Sequence, residues 1–309
     1  MKLRKVEKEM INIRNVSKSF TSHDAVHSID IAVKKGSIYG LLGSNGAGKT
    51  TLLKMIAGIY KPDSGSIQIQ DENVYENMDI KQKVVFIPDA LYFFPQATVK
   101  GLADFYRHFY TAWNEERFLK LAQMFDIKPS QKVHRMSKGM QRQVAFWLAL
   151  SCMPEYLILD EPLDGLDPVM RQKIKNLLFQ DVADRELTII ISSHNLREIE
   201  DICDHVGIMH KGKLIVEKDL DDLKADTHKV QIAFHQNSDA EVFTQNQKVL
   251  FSEIRGSVHL YILKGNEEEI QRRVRQVKPL VFDLLPLTLE EIFVYEMGGV
   301  GYEIESILL

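Results

Sequence analysis

The sequence has few of the features that mark secreted, membrane-spanning or nucleic-acid-binding proteins. Its 309 residues include two cysteines, Cys152 and Cys203, whose spacing matches neither a metal-binding nor a redox motif. No apolar run approaches the roughly 18 to 20 residues that cross a bilayer, and residues 1–10 carry positive charges without an apolar stretch behind them. We therefore expect unpaired thiols in a chain that is neither inserted in a membrane by itself nor secreted.

Excess charge and internal repetition are also missing. The formal net charge is −4, which gives the chain no general attraction for nucleic acid, and we expect no nucleic-acid partner. No fixed-period repeat or low-complexity tract occurs. The length and the mix of apolar and charged residues are those of an ordinary globular protein with one large domain and one small domain.

The order of hydrophobic patterns predicts an α/β domain with a helical insertion. Residues 11–69 contain two alternating strand patterns and then a nearly continuous apolar strand, SIYGLL, with a glycine-rich turn and a helix after it. From about 90 to 150 the periodicity becomes helical, and strands return at YLILD and LTIII. The insertion is therefore expected at about residues 90–150.

A second domain is predicted at the carboxyl end. After the acidic stretch 220–226 come a strand, KVQIAFH, a hairpin that turns at 255–257, and a helix, EEEIQRRVRQV. The last segment reads as an amphipathic helix followed by a tail. We expect a first domain over 1–226 and a small α+β accessory domain over 227–309, for which a dimer clamp and a ligand sensor both remain open.

A phosphate-binding loop pattern, GSNGAGKT, lies between the strand SIYGLL and the next helix. Glycines let backbone N–H groups curl around phosphate oxygens, and a helix amino terminus adds partial positive charge. Lys49 is expected to reach the β- and γ-phosphates, and the Thr50 hydroxyl to bind Mg²⁺. The residues predicted to contact the nucleotide here are Gly43, Ser44, Asn45, Gly46, Ala47, Gly48, Lys49, Thr50 and Thr51.

Two carboxylates end the apolar strand YLILD, at Asp160 and Glu161. This position suits a metal-dependent phosphoanhydride hydrolase, because the carboxyl edge of an α/β sheet holds the ligand. Asp160 is expected to hold Mg²⁺, and Glu161 to take a proton from the attacking water. A solvated acidic turn is the alternative. Together with the loop, the pair indicates a P-loop NTPase.

Further motifs resemble those of one NTPase family. The segment MSKGMQ, residues 136–141, is similar to the signature LSGGQ of ABC ATPases and keeps Ser137 and Gly139. Residues 163–167 resemble the D-loop of that family, His194 its switch histidine, and Phe20 its adenine-stacking aromatic. Six motifs occur in the family's order over residues 1 to about 220. By this resemblance the chain is identified as an ABC transporter ATP-binding subunit.

The resemblance implies a RecA-like core, an antiparallel β-subdomain, an inserted helical subdomain, and hydrolysis of ATP with Mg²⁺. Lys49, Glu161 and His194 would be catalytic. In a head-to-tail homodimer, or a heterodimer with a second ABC ATPase, Ser137 and Gly139 of one chain would close on the nucleotide of the other. The resemblance further implies a polytopic membrane subunit on a separate chain and a cytoplasmic location at the face of the cell membrane.

One position departs from the family pattern. Asp89, after the strand VVFIP, stands where the family has the Q-loop glutamine. This substitution and the SKGM signature both resemble a branch of bacterial multidrug or peptide exporters with separate membrane subunits. Asp89 is predicted either to sense Mg²⁺ or to cap the turn after Pro88.

Aromatic residues are dense after Asp89, at Phe105, Tyr106, Phe109, Tyr110 and Trp113. The i, i+4 spacing of Phe105 and Phe109 favours burial of that pair in the core. In ABC transporters this region forms a groove for a cytoplasmic helix of the membrane subunit. A soluble ABC ATPase without a channel, and a regulator that binds ATP without hydrolysis, are the alternative functions.

Overall fold

The structure is a computed structural model that describes residues 9–21, 23–236 and 238–298. The chain divides into two compact units between Glu217 and Lys218. This division precedes the stretch 220–226, most of which folds as a short helix that packs on the first strand of the second unit. The acidic stretch therefore belongs to the second compact unit.

Strand-rich segments flank a run of helices in the first unit, in the order that the hydrophobic patterns predict. The elements up to and across the boundary are β1 Glu9–Phe20, β2 His23–Lys34, β3 Ile38–Leu42, α1 Lys49–Ile56, β4 Ser64–Ile69, β5 Glu72–Asn73, α2 Met78–Lys81, β6 Val84–Ile87, α3 Val99–Phe109, α4 Glu115–Phe125, a 3₁₀ turn Val133–Arg135, α5 Lys138–Ser151, β7 Tyr156–Asp160, α6 Pro168–Arg185, β8 Thr188–Ser193, α7 Leu196–Glu200, β9 His205–His210 and β10 Lys213–Asp219.

Two sheets form the frame of this unit. The antiparallel sheet has the order β2-β1-β4-β5, and its alternating isoleucines, such as Ile11 opposite Ile69, point into a shared core. The second sheet has the order β10-β9-β3-β8-β7-β6, and β9, β3, β8, β7 and β6 run parallel. Because β3, β7 and β8 are buried along their whole length, they read as continuous apolar runs.

The parallel sheet brings the predicted motifs to one edge. The glycine-rich loop follows β3, Asp160 ends β7, His194 follows β8, and Asp89 lies shortly after β6. Carboxyl ends of parallel strands meet at a common edge, where ligands bind in open α/β sheets. Gly43 and His194, which are 151 residues apart in the sequence, therefore meet there.

The helical insertion has its own small core, in which the rings of Phe118 and Trp147 stack with centroids 4.7 Å apart. The predicted burial of Phe105 and Phe109 is wrong, since they are 46% and 53% exposed. Helix α3 buries Val99, Leu102 and Ala103 instead. The i, i+4 spacing identifies residues on one face of a helix, but it does not tell which face packs.

The second unit contains both helices and strands. Its remaining elements are α8 Leu220–Ala225, β11 Thr227–Ala233, α9 Ser238–Thr244, β12 Lys248–Arg255, β13 Val258–Lys264, α10 Glu267–Val277, β14 Val281–Leu285 and α11 Leu289–Gly298. The strands form an antiparallel sheet of order β12-β13-β11-β14. With α9 and α10 as crossovers, this is the β-α-β-β-α-β arrangement of ferredoxin-like domains.

Opposite faces of this sheet are covered differently. Val230 and Ile232 pack with Phe243 of α9 and Ile270 of α10. On the other face, Lys229 pairs with Glu291 of α11 at 2.5 Å. The predicted carboxyl-terminal tail, 299–309, lies outside the described residues. Among the helices of the described ranges, none combines the length and apolarity of a membrane span.

Candidate functional site

The backbone of the loop after β3 leaves no room for a side chain at Gly48. Gly48 precedes α1 with φ of 103°, in the left-handed region, and a Cβ there would lie 2.2 Å from the carbonyl oxygen of Ala25. Only glycine fits this combination of conformation and close approach. The loop thereby delivers the first turn of α1 to the edge of the parallel sheet.

Lys49 is buried at the start of α1. Its Nζ donates hydrogen bonds to the carbonyl oxygens of Gly43, at 2.6 Å, and Ser44, at 3.3 Å, and lies 3.7 Å from Glu161 Oε1. Burial lowers the pKa of the ammonium group, and the charges of Glu161 and Asp160 oppose that shift. A cation is thus held inside the loop beside two carboxylates.

The residues of the loop suit a phosphate group. No side chain caps the amino end of α1, and its first turn contains no acidic residue. Uncapped N–H groups at a helix start, with the Lys49 ammonium beside them, form a donor set for an anion. The cleft in front of the loop has a volume of about 220 Å³, and its lining includes Ser44 to Thr51.

Asp160 is buried at the end of β7 and is held by two hydroxyl groups. Thr50 Oγ1 donates to its Oδ2 at 2.8 Å, and Ser192 Oγ donates to its Oδ1 at 2.6 Å. Hydroxyl and carboxylate oxygens are the ligands that Mg²⁺ prefers. The hydrogen bond between Thr50 and Asp160 places these two predicted Mg²⁺ ligands next to each other. The sequence analysis missed Ser192, because its bond to Asp160 depends on the pairing of β7 with β8.

Glu161 adopts an uncommon backbone conformation, with φ of 46°. Its N–H donates to the carbonyl oxygen and the Oγ of Ser192, both at 3.2 Å. Its Oε2 lies 2.9 Å from His194 Nδ1 and accepts a hydrogen bond from His194 N at 3.2 Å. Strain of this kind concentrates at functional sites. The turn brings Glu161 and His194 together.

Asp164 joins this pair. The carboxylates of Glu161 and Asp164 and the ring of His194 each offer a ligand atom, and these atoms lie within 4.8 Å of one another. Of the three, Glu161 is the one among the described residues that line the cleft. It is therefore the member of the cluster that faces the phosphate-binding loop.

Asp89 lines the same cleft but has an unforeseen partner. Its Oδ1 lies 3.3 Å from the guanidinium of Arg142 in α5, which also donates to the carbonyl oxygen of Pro88 at 3.3 Å. Asp89 and Arg142 also line a second cleft, of about 490 Å³, together with Lys138 and Gly165. Arg142 escaped the sequence analysis because nothing in the sequence links it to Asp89.

Phe20 does not line the nucleotide cleft among the described residues, whereas His23 does. The two rings lie 6.1 Å apart between centroids, and the Phe20 ring also meets Tyr60 edge to face at 5.8 Å. Phe20 is partly exposed beside the cleft. The sequence analysis missed His23, three residues after Phe20.

Ser137 and Gly139 are likewise outside the described lining of the cleft in their own chain. Ser137 caps α5, since its Oγ accepts a hydrogen bond from Met140 N at 3.2 Å. A Cβ on Gly139 would lie 2.8 Å from the carbonyl oxygen of Gly165, so the signature segment packs closely on the D-loop. The signature therefore starts a helix without reaching this chain's own phosphate loop.

Comparisons with known proteins identify the family of this chain. A family model described as ABC transporter matches residues 26–164. The ABC transporter ATP-binding protein YtrB of Bacillus subtilis (strain 168) is 32% identical, over 94% of this chain and 99% of its own length. The bacitracin transport ATP-binding protein BcrA of Bacillus licheniformis is 31% identical, over 94% and 98% of the two chains.

Structural comparison indicates the same family. A solved structure described as "Structure of ATP binding subunit of ABC transporter" superposes with a TM-score of 0.65 at 25% identity, over 70% of this chain and 92% of that chain. The predicted family and the predicted α/β fold class are therefore confirmed. Since its resemblance to YtrB extends over nearly the whole of both proteins, this chain belongs to the ATP-binding subunits of ABC transporters, which are ATPases.

Proposed function

We propose that this chain is the motor subunit of an exporter, with a polytopic membrane subunit on a separate chain and a position at the cytoplasmic face of the membrane. The observation that carries the proposal is the meeting of Lys49, Asp160 and Glu161 at one edge of the parallel sheet. A cation, a metal-binding carboxylate and a base beside one loop are the groups that hydrolysis of a nucleoside triphosphate needs.

Binding falls to the loop and α1. The uncapped N–H groups of the first turn and the Lys49 ammonium would hold the β- and γ-phosphates, and Thr50 and Asp160 would hold Mg²⁺. A bound Mg²⁺ would supply positive charge beside the phosphate oxygens. For the adenine ring, Phe20 offers a π-face, and the ring of His23, which lines the cleft, lies 6.1 Å from it between centroids.

Proton transfer falls to Glu161. Its carboxylate faces the loop near Lys49 and accepts hydrogen bonds on its other oxygen, so it can orient a water molecule and take its proton. His194 fixes the direction of the Glu161 carboxylate through its backbone N–H and its ring. In this proposal Asp89 lines the cleft without acting as the base, and its Oδ1 is engaged by Arg142.

Two chains are needed for one complete site in this proposal. Ser137 and Gly139 start α5, and the helix amino terminus offers a second donor set for the γ-phosphate. They lie outside their own chain's cleft, which supports head-to-tail pairing with a second copy or with another ABC ATPase.

An aromatic groove is the proposed seat for the membrane subunit. Its volume is about 500 Å³, and Phe105, Phe109 and Met78 line it with exposed side chains. Such a groove suits the apolar face of a partner helix. The export direction rests on similarity to the Nod factor export ATP-binding protein I of Burkholderia orbicola (strain AU 1054), which is 36% identical over 67% of this chain and 70% of its own length. The assignment of 227–309 as an accessory domain stays a proposal beside it.

Membrane co-isolation tests this function. We expect the tagged chain, expressed in its own cells, to recover one defined polytopic protein from detergent extracts, and Phe105→Ser/Phe109→Ser to lose it while keeping ATP hydrolysis. Phe179→Ser is the matched control, because Phe179 is an exposed aromatic on α6, away from the groove. If the wild type recovered no polytopic protein, the transporter assignment would be wrong.

A further inference from the structure

The ion pair between Asp89 and Arg142 joins two segments that the sequence keeps 53 residues apart. The side chain of Arg142 is 9% exposed and that of Asp89 is 59% exposed. Arg142 is also fixed by the carbonyl oxygen of Pro88, next to its partner. The cation is therefore the anchored member of the pair, and the carboxylate is the member that reaches the cleft.

The position of Asp89 gives this pair a consequence for a nucleotide. Asp89 lines both the cleft in front of the phosphate loop and the second cleft, whereas Arg142 lines the second cleft. An unpaired carboxylate at the nucleotide cleft would repel the phosphates of ATP. The guanidinium supplies the compensating charge from the side of α5.

The other charged groups nearby do not replace this compensation. Lys138 and Asp164 line the second cleft, carry opposite charges, and are absent from the described lining of the nucleotide cleft. On the nucleotide side, Lys49 is engaged by the loop carbonyls and lies near Glu161. Arg142 is thus the cation that the described contacts assign to Asp89.

We propose that Arg142 is a positioning residue for ATP binding: its ion pair neutralises Asp89 and holds this carboxylate at the nucleotide cleft, and it ties α5 to that cleft. Helix α5 begins at the Ser137 cap, which in the proposed dimer contacts the nucleotide of the partner chain. The ion pair therefore connects Asp89, at the nucleotide cleft of one chain, with the helix that contacts the other chain. This inference rests on the proposed function of the cleft.

Steady-state hydrolysis by three variants tests the inference. Arg142→Met leaves a bare carboxylate at the cleft, and we expect it to raise KM for MgATP about three- to tenfold with a smaller change in kcat. Asp89→Asn combined with Arg142→Met removes both charges, and KM should return to within about twofold of wild type. Arg142→Lys should have a KM between those of the wild type and Arg142→Met, because the ammonium keeps the charge but lacks the guanidinium fork.

Two further measurements distinguish an effect of the lost charge from an effect on folding. The KM defect of Arg142→Met should shrink at high salt, since ions screen an exposed carboxylate. Arg14→Met is the matched control, because Arg14 is an exposed arginine on β1. Thermal melting of each variant identifies any that fails to fold, and the double variant keeps the test decisive, since restored KM in a less stable protein still supports the pair.

The outcomes distinguish the two proposals. Wild-type KM in Arg142→Met, or a double variant no better than Arg142→Met, would overturn the role of Arg142 while leaving the ATPase site intact. If wild-type hydrolysis did not depend on Lys49, the proposed cleft itself would be wrong, and this inference would fall with it.

Discussion

The ammonium group of Lys49 lies between two loop carbonyls and the Glu161 carboxylate. Burial lowers its pKa, and the neighbouring carboxylates favour its charged form. Charge-assisted hydrogen bonds from such a group to phosphate contribute about 1.5 to 3 kcal/mol each. The cation is therefore already inside the loop that is to receive the phosphates.

Lys49→Ala should weaken ATP binding by about ten- to a hundredfold and stop turnover, because these bonds are lost. Titration with a fluorescent ATP analogue and phosphate release measure the two effects. Lys54→Ala is the control, since Lys54 lies on the same helix with its Nζ over the Tyr60 ring. Normal hydrolysis by Lys49→Ala would show that the loop does not bind phosphate.

Residue identities near the loop were predictable to different degrees. Lys49, Thr50, Asp160 and Glu161 follow from local patterns, because a strand followed by a glycine-rich turn or by carboxylates fixes their place at a sheet edge. The bond from Ser192 to Asp160 depends on the register of β7 against β8, which no local pattern contains. The partner of Asp89 depends on how α5 packs.

Helices α6 and α7 are joined by a buried ion pair. Glu198 of α7 lies 2.8 Å from Arg171 of α6, and its other oxygen accepts a hydrogen bond from Ser193 Oγ at 3.5 Å. Burial raises the pKa of Glu198, and the Arg171 charge opposes the shift. Since Ser193 precedes His194, this pair supports the loop on which the switch histidine lies.

Glu198→Gln should change how stability depends on pH. In an unfolded chain the pKa of a glutamate side chain is about 4.3. With a raised folded pKa, the folded protein holds a proton that the unfolded chain has lost, so the unfolding free energy decreases as pH rises through that window. In Glu198→Gln this decrease of the unfolding free energy is absent, because glutamine does not titrate. The Tm of the variant minus that of the wild type should therefore increase from pH 4.5 to 7.

Glu76→Gln, at an exposed glutamate, is the control for that measurement. A Tm difference that stayed constant or decreased with pH would contradict the desolvation of Glu198. Melting curves followed by circular dichroism in matched buffers are sufficient.

Elements were predicted more securely than their packing. The buried strands and the helical insertion follow from periodicity, since an apolar run and a 3.6-residue repeat are local properties. The exposure of Phe105 and Phe109 is not local, because it depends on which face of α3 meets the rest of the insertion. The sheet order of the second unit likewise depends on pairing between distant strands.

At the scale of the whole molecule, one chain contains both halves of the composite nucleotide site that we propose. The phosphate loop and Glu161 form one half, and the capped start of α5 forms the other. The family resemblance supplied the idea of pairing, which no single-chain pattern contains. Two copies are therefore sufficient in principle for two complete sites.

Glu161→Gln should accumulate as an ATP-bound dimer, because nucleotide holds the two halves together and hydrolysis no longer releases them. Light scattering after size-exclusion chromatography with MgATP should show twice the monomer mass. Lys49→Ala/Glu161→Gln should stay monomeric, since it cannot bind ATP tightly. If Glu161→Gln stayed monomeric at high concentration, pairing would require a different ABC ATPase.

The rate of phosphate release by Glu161→Gln, with ATP binding measured in the same samples, tests the central claim most directly. A positioned general base contributes about 10²- to 10⁴-fold to a rate. The account predicts unchanged ATP affinity and hydrolysis slowed by about that factor relative to the wild type. Hydrolysis at the wild-type rate by a variant that binds ATP normally would show that Glu161 is not the base, and would contradict the account.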